Sequence, residues 1–307
     1  MTRNIFFSRK KDPLFSVMLM CKESQGGKPQ DSFVRMVSGA PEPMTVLAYN
    51  WSLDDIERFC TRSQCTVLSV DPTFNLGDFD VTVTTYRHLL LTNSRGNHPV
   101  MMGPIFIHQQ KKFESYYFFA SCLVGLKSAL CDLRAFGTDG EKALASAFQT
   151  VFRMAIHLRC FLHLKGNLEA KLREYGILKH VQIEFMRDIF GNPTQLEDGI
   201  VDANSTAEYE AMVQSLQIIW NDREKAYNNP PQLYQWFLSY CKSEIQETML
   251  KEKQIASGLG DPPEPFYTND VESQNNVIKY QMSYRTQELP QFISSMKTMM
   301  INQSIWL

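Results

Sequence analysis

An α/β fold built on a mixed sheet is predicted by three features of this 307-residue chain. Three strand-like runs between residues 65 and 108 are joined by turns too short for a helical crossover, so they read as an antiparallel meander. A strand, helix, strand, helix alternation over residues 133–175 then implies two parallel strands added to the meander. From residue 176 to about 255 strand signals vanish and helical periods dominate, the pattern of an all-helical insertion.

Residues 1–50 show no clear period and hold a polar stretch at 24–32 and an APEP turn at 40–43, so they read as an extended or partly ordered lead-in. A short helix is expected over 52–60, with Asp54 and Asp55 in its first turn. Strands follow over 65–70, 79–91 and 100–108, separated by NLGD at 75–78 and NSRGNHP at 93–99. Residues 113–130 suit a helix buried on most sides, 133–138 a strand, and 141–152 a helix striped by Ala143, Leu144, Phe148 and Phe152. A strand over 155–159 precedes a helix over 161–175, where Leu164, Leu168 and Leu172 recur every four residues. Helices over 181–190, 207–220 and 232–250 are divided by GNP at 191–193 and NNPP at 228–231. After the stiff DPPEP linker at 261–265, two helices over 269–284 and 289–302 close the chain. The expected division is a lead-in over 1–60, a core over 61–175, a helical insertion over 176–265 and closing helices over 266–307.

Composition narrows the class. Hydrophobic residues at 44% and charged residues at 21% are those of a globular chain able to bury a full core. The longest apolar stretch, 116–126, is shorter than the ~18 residues that argue for a membrane span. Four cations in residues 1–11 precede no apolar core, which excludes a secretory signal, and RKK at 9–11 has the form of a nuclear-import motif. Seven widely spaced cysteines with no CxxC pair are not a disulfide framework and point to a reducing compartment. The net charge of −2 carries no overall nucleic-acid footprint, but its distribution is uneven. Residues 153–180 hold Arg153, Arg159, Lys165, Lys171, Arg173 and Lys179 against two glutamates, whereas 181–270 hold fifteen acidic residues against six basic ones. Such a run also suits a merely solvated face.

Three carboxylates stand out. Asp71 follows the apolar run TVLSV and is expected at the C-terminal end of a buried strand, although an Asp-Pro turn accounts for it equally well. Asp139 follows a strand and precedes a helix, where Thr138 and Glu141 also suit a capping box. If the two strands pair in parallel, both carboxylates meet at one edge and repel unless a cation lies between them. Glu272 opens a helix, with Asn275 and Lys279 on the same expected face, and Asn269 with Glu272 again suits a capping box. Asp270 is a rival on the same turn. Cys160 and His163 flank a helix start as half of a zinc site, as a Cys/His nucleophile pair, or as a buried Cys with a helix-capping His.

The order of these signatures resembles the transposase domain of Mutator-like elements. DPTF (Asp71–Phe74), TDGE (Thr138–Glu141) with Leu144, CxxHxxxN (Cys160, His163, Asn167) and TNxxESxN (Thr268, Asn269, Glu272, Ser273, Asn275) follow one another across residues 60–285. The gaps from Asp71 to Asp139, Asp139 to His163 and His163 to Glu272 are 68, 24 and 109 residues, the last wide enough for the helical insertion. The resemblance implies an RNase H-like fold with a mixed five-stranded sheet, three strands antiparallel and two parallel. It also implies a DDE triad of Asp71, Asp139 and Glu272 holding two Mg²⁺ or Mn²⁺ ions for in-line displacement on DNA. Cys160, His163, Asn167 and Asn275 would support that site. The partners so implied are double-stranded DNA, as transposon ends and target, and a second copy of the chain, with no membrane. No amino-terminal zinc-binding module of the kind such transposases often carry is expected before the motifs, and the chain ends soon after the helix of Glu272, which reads as a fragment or decayed copy. The alternative is therefore a domesticated or decayed transposase that binds DNA or protein without chemistry.

Overall fold

The computed structural model describes residues 12–27, 32–75, 78–192 and 194–305, without the side chains of residues 73–75. The RKK motif at 9–11, part of the polar stretch at 28–31, Leu76 and Gly77 of the NLGD turn, and Pro193 of the GNP breaker lie outside the described residues. Two compact units divide the chain. One is Met1–Ala155 with Thr268–Leu307; the other is Ile156–Tyr267.

The first unit begins with α1 (Pro13–Gly26), capped by the Asp12 carboxylate, which accepts a hydrogen bond from Leu14 N at 2.9 Å. There follow β1 (Val34–Ser38), β2 (Met44–Leu47), α2 (Asn50–Cys60), β3 (Leu68–Asn75), β4 (Asp80–Arg87) and β5 (Val100–His108). Then come α3 (Phe113–Leu126), a 3₁₀ turn (Ser128–Asp132), β6 (Ala135–Thr138) and α4 (Lys142–Val151). The second unit supplies β7 (Ile156–Arg159) and six helices: α5 (Phe161–Glu174), α6 (Lys179–Phe190), α7 (Thr206–Glu224), α8 (Leu233–Tyr240), α9 (Lys242–Thr248) and α10 (Lys251–Ala256). The chain then returns to the first unit with α11 (Asn269–Gln281) and α12 (Leu289–Ser304).

Strands of the first unit run in the order β1-β2-β5-β4-β3-β6. All neighbours pair antiparallel except β3 and β6, which pair in parallel. The meander is thus present with one parallel addition within this unit, β6, where two were expected, and the sheet exceeds the five strands expected. β1 and β2 extend it beyond β5, where an irregular lead-in was expected. The reason is burial: all four residues of β2 are buried, so it carries no polar alternation to read.

Helices cover both faces of this sheet. On one face Leu68, Val70, Tyr86 and Phe106 pack with Ile56 and Phe59 of α2, Phe119 of α3 and Phe148 of α4. On the other, Val81, Val83, Ile105 and Ile107 pack with Val17 of α1, Ile278 and Met282 of α11, and Phe292 and Met296 of α12. At about 25 cal/mol per Å² of apolar surface, these faces and not single bonds hold the layers together. Among the described residues no helix is long and apolar enough to cross a membrane, and all seven cysteines are free thiols.

In the second unit the stripe Leu164, Leu168 and Leu172 of α5 joins Phe185 and Ile189 of α6 and Val213 and Trp220 of α7 in a separate core. That packing puts α5, and with it the CxxH pair, in the helical unit, so the division falls after Ala155 and not after residue 175. α6 stops at Gly191 (φ +69°), where a Cβ would lie 2.5 Å from the Glu197 carbonyl oxygen. The single helix expected over 232–250 is two, α8 and α9, broken at Cys241 (φ −118°).

Candidate active site

Asp71 sits within β3, not at its end. The strand continues through Pro72 to Asn75, with an irregularity between Pro72 and Phe74 where the proline has no N–H to give. Asp71 is buried (5% exposed) and lies directly opposite Val83 of β4. Residues opposite each other in an antiparallel pair share a face, so Asp71 belongs to the face covered by α1, α11 and α12.

Asp139 lies one residue beyond β6. The parallel register pairs Leu68 with Phe136 and Ser69 with Gly137; continued by two residues, it sets Asp139 level with Asp71 on the neighbouring strand. The local turn is tied by side chains: Asp139 Oδ1 accepts from Glu141 N at 3.0 Å, and Thr138 Oγ1 accepts from Gly140 N at 3.3 Å. Gly140, at φ +103°, supplies the left-handed step this turn needs. The helix starts at Lys142 with Glu141 as its N-cap residue, so the expected Thr138 capping box is replaced by this turn.

α11 packs against β3 and β4. Its buried stripe is Val271, Asn275, Ile278 and Met282, at the 4-3-4 spacing of one helical face. Glu272 lies about 100° round from Val271 and is exposed, accepting from Thr268 Oγ1 at 3.3 Å. Glu272 and Asn275, three residues apart and so about 60° round the helix from one another, differ in burial: Glu272 stands at the exposed rim and Asn275 beneath it. Asn269 is the first helical residue, so the Asn269 capping box does not form and Thr268 takes the cap position. Asp270, the rival acid, is held in a two-bond pair with Arg87 at 2.9 and 3.1 Å. Asn275 is 1% exposed, and neither polar atom of its amide has a hydrogen-bond partner among the described residues.

A network of charged and polar groups, most of them not singled out by the sequence, reaches Asp139 through Glu141 and Tyr116. The Glu141 carboxyl is pushed above the usual range by burial first, then by the Asp139 and Asp80 carboxylates, against a hydrogen bond from Tyr116 (3.1 Å) and the Lys111 charge. Burial, then Glu141, holds the Tyr116 phenol well above its ordinary value, with Asp80 and Asp139 adding to the effect. Lys111 Nζ lies 3.7 Å from Asp80 Oδ1 and donates to the Pro72 carbonyl at 3.3 Å. His108 is lowered by burial, opposed by the Gln110 carbonyl and by Asp80 and Glu42. Asp80 was within reach of pattern reading: it opens the strand after the NLGD turn, and an antiparallel return from Asp71 brings it alongside Asn75.

The remaining predicted site residues lie in the second unit. Cys160 is fully buried at the N-cap position of α5, His163 is half-buried one turn in, and Asn167 is exposed. Full burial removes the basis for reading Cys160 as a nucleophile. Among the described residues no group of three or more His, Cys, Asp or Glu side chains is arranged to hold a metal ion. No protein-family model and no curated protein sequence matches the chain.

Proposed function

We propose that this chain carries the catalytic domain of a DDE-type, Mutator-like transposase that cuts and joins double-stranded DNA with divalent metal ions in the nucleus. The RNase H-like description of the sheet belongs to the same proposal. One observation carries it: the β3/β6 register brings Asp71 and Asp139 level on neighbouring strands, beneath the helix that bears Glu272. Side by side, two such carboxylates repel unless something positive lies between them. Oxygen-only donors suit Mg²⁺ or Mn²⁺, which would polarise a phosphate oxygen and activate water or a 3′-hydroxyl. The donor chemistry fits those ions, but the side chains as they lie do not gather three donors around one point.

That same lack favours a second reading, a domesticated or decayed transposase that binds without cutting. Nicking of supercoiled plasmid in Mg²⁺ or Mn²⁺ separates the two. For the enzyme, Asp71→Asn, Asp139→Asn and Glu272→Gln each lower the rate by about 100-fold or more, the scale on which lost transition-state electrostatics is felt. Nicking that persists in all three variants without added metal removes the enzyme reading. A wild-type chain that nicks nothing, and whose melting temperature ignores both ions, leaves the binding module.

A further inference from the structure

The second unit holds an open groove of about 750 Å³ between α5 and α6, a size within the range of ligand sites. Its walls are periodic. Lys165, Glu169 and Arg173 follow one another at four-residue steps on α5, and Lys179, Ile183 and Arg187 do so on α6. Each wall thus carries a cation at either end, about 12 Å apart at 1.5 Å per residue. Ile183, 53% exposed, lies midway between the two cations of α6. The half-buried ring of Phe190 closes the end of the groove beyond Arg187, packed on Phe161 at 5.8 Å and with Lys165 Nζ 5.9 Å from its centroid. Arg173 reaches Glu169 at 4.0 Å and Arg187 reaches Glu197 at 3.5 Å, both exposed pairs of the kind that contribute little.

We propose that this groove binds a single nucleic-acid strand. Four cations spread over that length on two walls do not converge on one phosphate, but they match a polyanion that runs along the groove. Apolar surface between cationic walls, with an aromatic ring at the end, suits a ligand with flat faces on a charged backbone, the chemistry of an unpaired strand. An acidic peptide offers the charge without the flat faces. A duplex hides its base faces in the stack. The proposal concerns the second unit alone and is separate from the carboxylates of the first.

The test is fluorescence anisotropy of the full chain with a labelled 20-mer of thymidine, in a series of salt concentrations. Lys179→Ala/Arg187→Ala removes two exposed cations, so the slope of log K against log salt should fall by about 1.4, and binding in 0.1 M salt by about 20-fold. Ile183→Ala should weaken binding about threefold at every salt concentration with the slope unchanged. The control Arg95→Ala/Lys225→Ala, two exposed cations elsewhere, should leave both unchanged. No binding by the wild-type chain overturns the proposal, as does an equal loss in the control pair. It is overturned equally by a duplex that binds as tightly with the same loss in the variants, or by polyglutamate that displaces the oligonucleotide at equal charge.

Discussion

Glu224 in the helical unit and Asn275 in the sheet unit are both buried polar side chains, and they are opposite cases. Glu224 is fully buried, yet its carboxylate accepts from Asn228 Nδ2 and Gln232 N at 3.1 Å and from Leu233 N at 2.8 Å. It joins the end of α7 to the start of α8, where free N–H groups require an acceptor. Asn275 is buried to the same degree and satisfies neither end of its amide among the described residues. A buried polar group with every partner in place is architecture. One without partners costs stability, and what it faces is where a ligand group has something to bind.

The largest effect expected from this contrast is at Glu224. Glu224→Ala strands two N–H groups of α8 and should cost about 4 kcal/mol by urea denaturation, from charge-assisted bonds worth about 1.5–3 kcal/mol each. Glu224→Gln keeps one acceptor and should cost less than half of that. A loss under about 0.5 kcal/mol in the alanine variant would break the comparison, because such a value belongs to an ordinary surface position.

Neither residue's state was legible in the sequence, although much around them was. The leucine stripe of α5 follows from periodicity, because it buries one stripe, and the strands β4 and β5, buried on both faces, follow from long β-branched and apolar runs bounded by turn signals. β2 escaped because four residues with no polar alternation are too short a run to read as a strand, and the break at Cys241 because it carries neither glycine nor proline. Asp71 was expected at the end of a strand over 65–70, and the strand runs on through Pro72 to Asn75. At the site, the level positions of Asp71 and Asp139 follow from the parallel pairing of β3 and β6, although Asp71 lies within its strand and Asp139 one residue beyond its own. Glu141 lies two residues from Asp139 and reads there only as a cap partner, whereas Tyr116 comes near Asp139 by tertiary packing that sequence spacing does not announce. The outward turn of Glu272 depends on helix rotation, which a motif does not encode.

Two histidines extend the comparison to pH. In the helical unit, burial and then the Arg159 charge lower His157 to about 4, against about 6.5 in an unfolded chain. Between these values the unfolded chain takes up a proton and the folded chain does not. Stability is therefore whole above about pH 6.5 and falls as the pH drops towards 4, by about 3 kcal/mol in all. In the sheet unit His108 is also lowered by burial, but Asp80 and Glu42 favour its charged form and narrow its window. Replacing His157 by Asn should flatten the acid limb of the stability–pH curve, and His108→Asn should flatten it less. Curves that run parallel to wild type from pH 7.5 to 4.5 would show that the helical unit does not hold His157 neutral.

The smallest effect is the most informative, since it asks what the unpaired amide is for. Asn275→Leu keeps the approximate volume, removes a donor and an acceptor that have no partners, and adds apolar contact with Ile278 and the sheet. If Asn275 is only a buried polar defect, the variant should be more stable by about 1 kcal/mol, a rise of about 3 °C in melting temperature, with any nicking unchanged. If the amide serves the proposed site, the same gain in stability should come with about tenfold slower metal-dependent nicking, the usual exchange of stability for function. A variant that loses stability would mean that the amide is satisfied in solution, by water for instance, and Asn275 would then join Glu224 as architecture. The sign of one small stability change thus decides whether the two buried groups differ in kind.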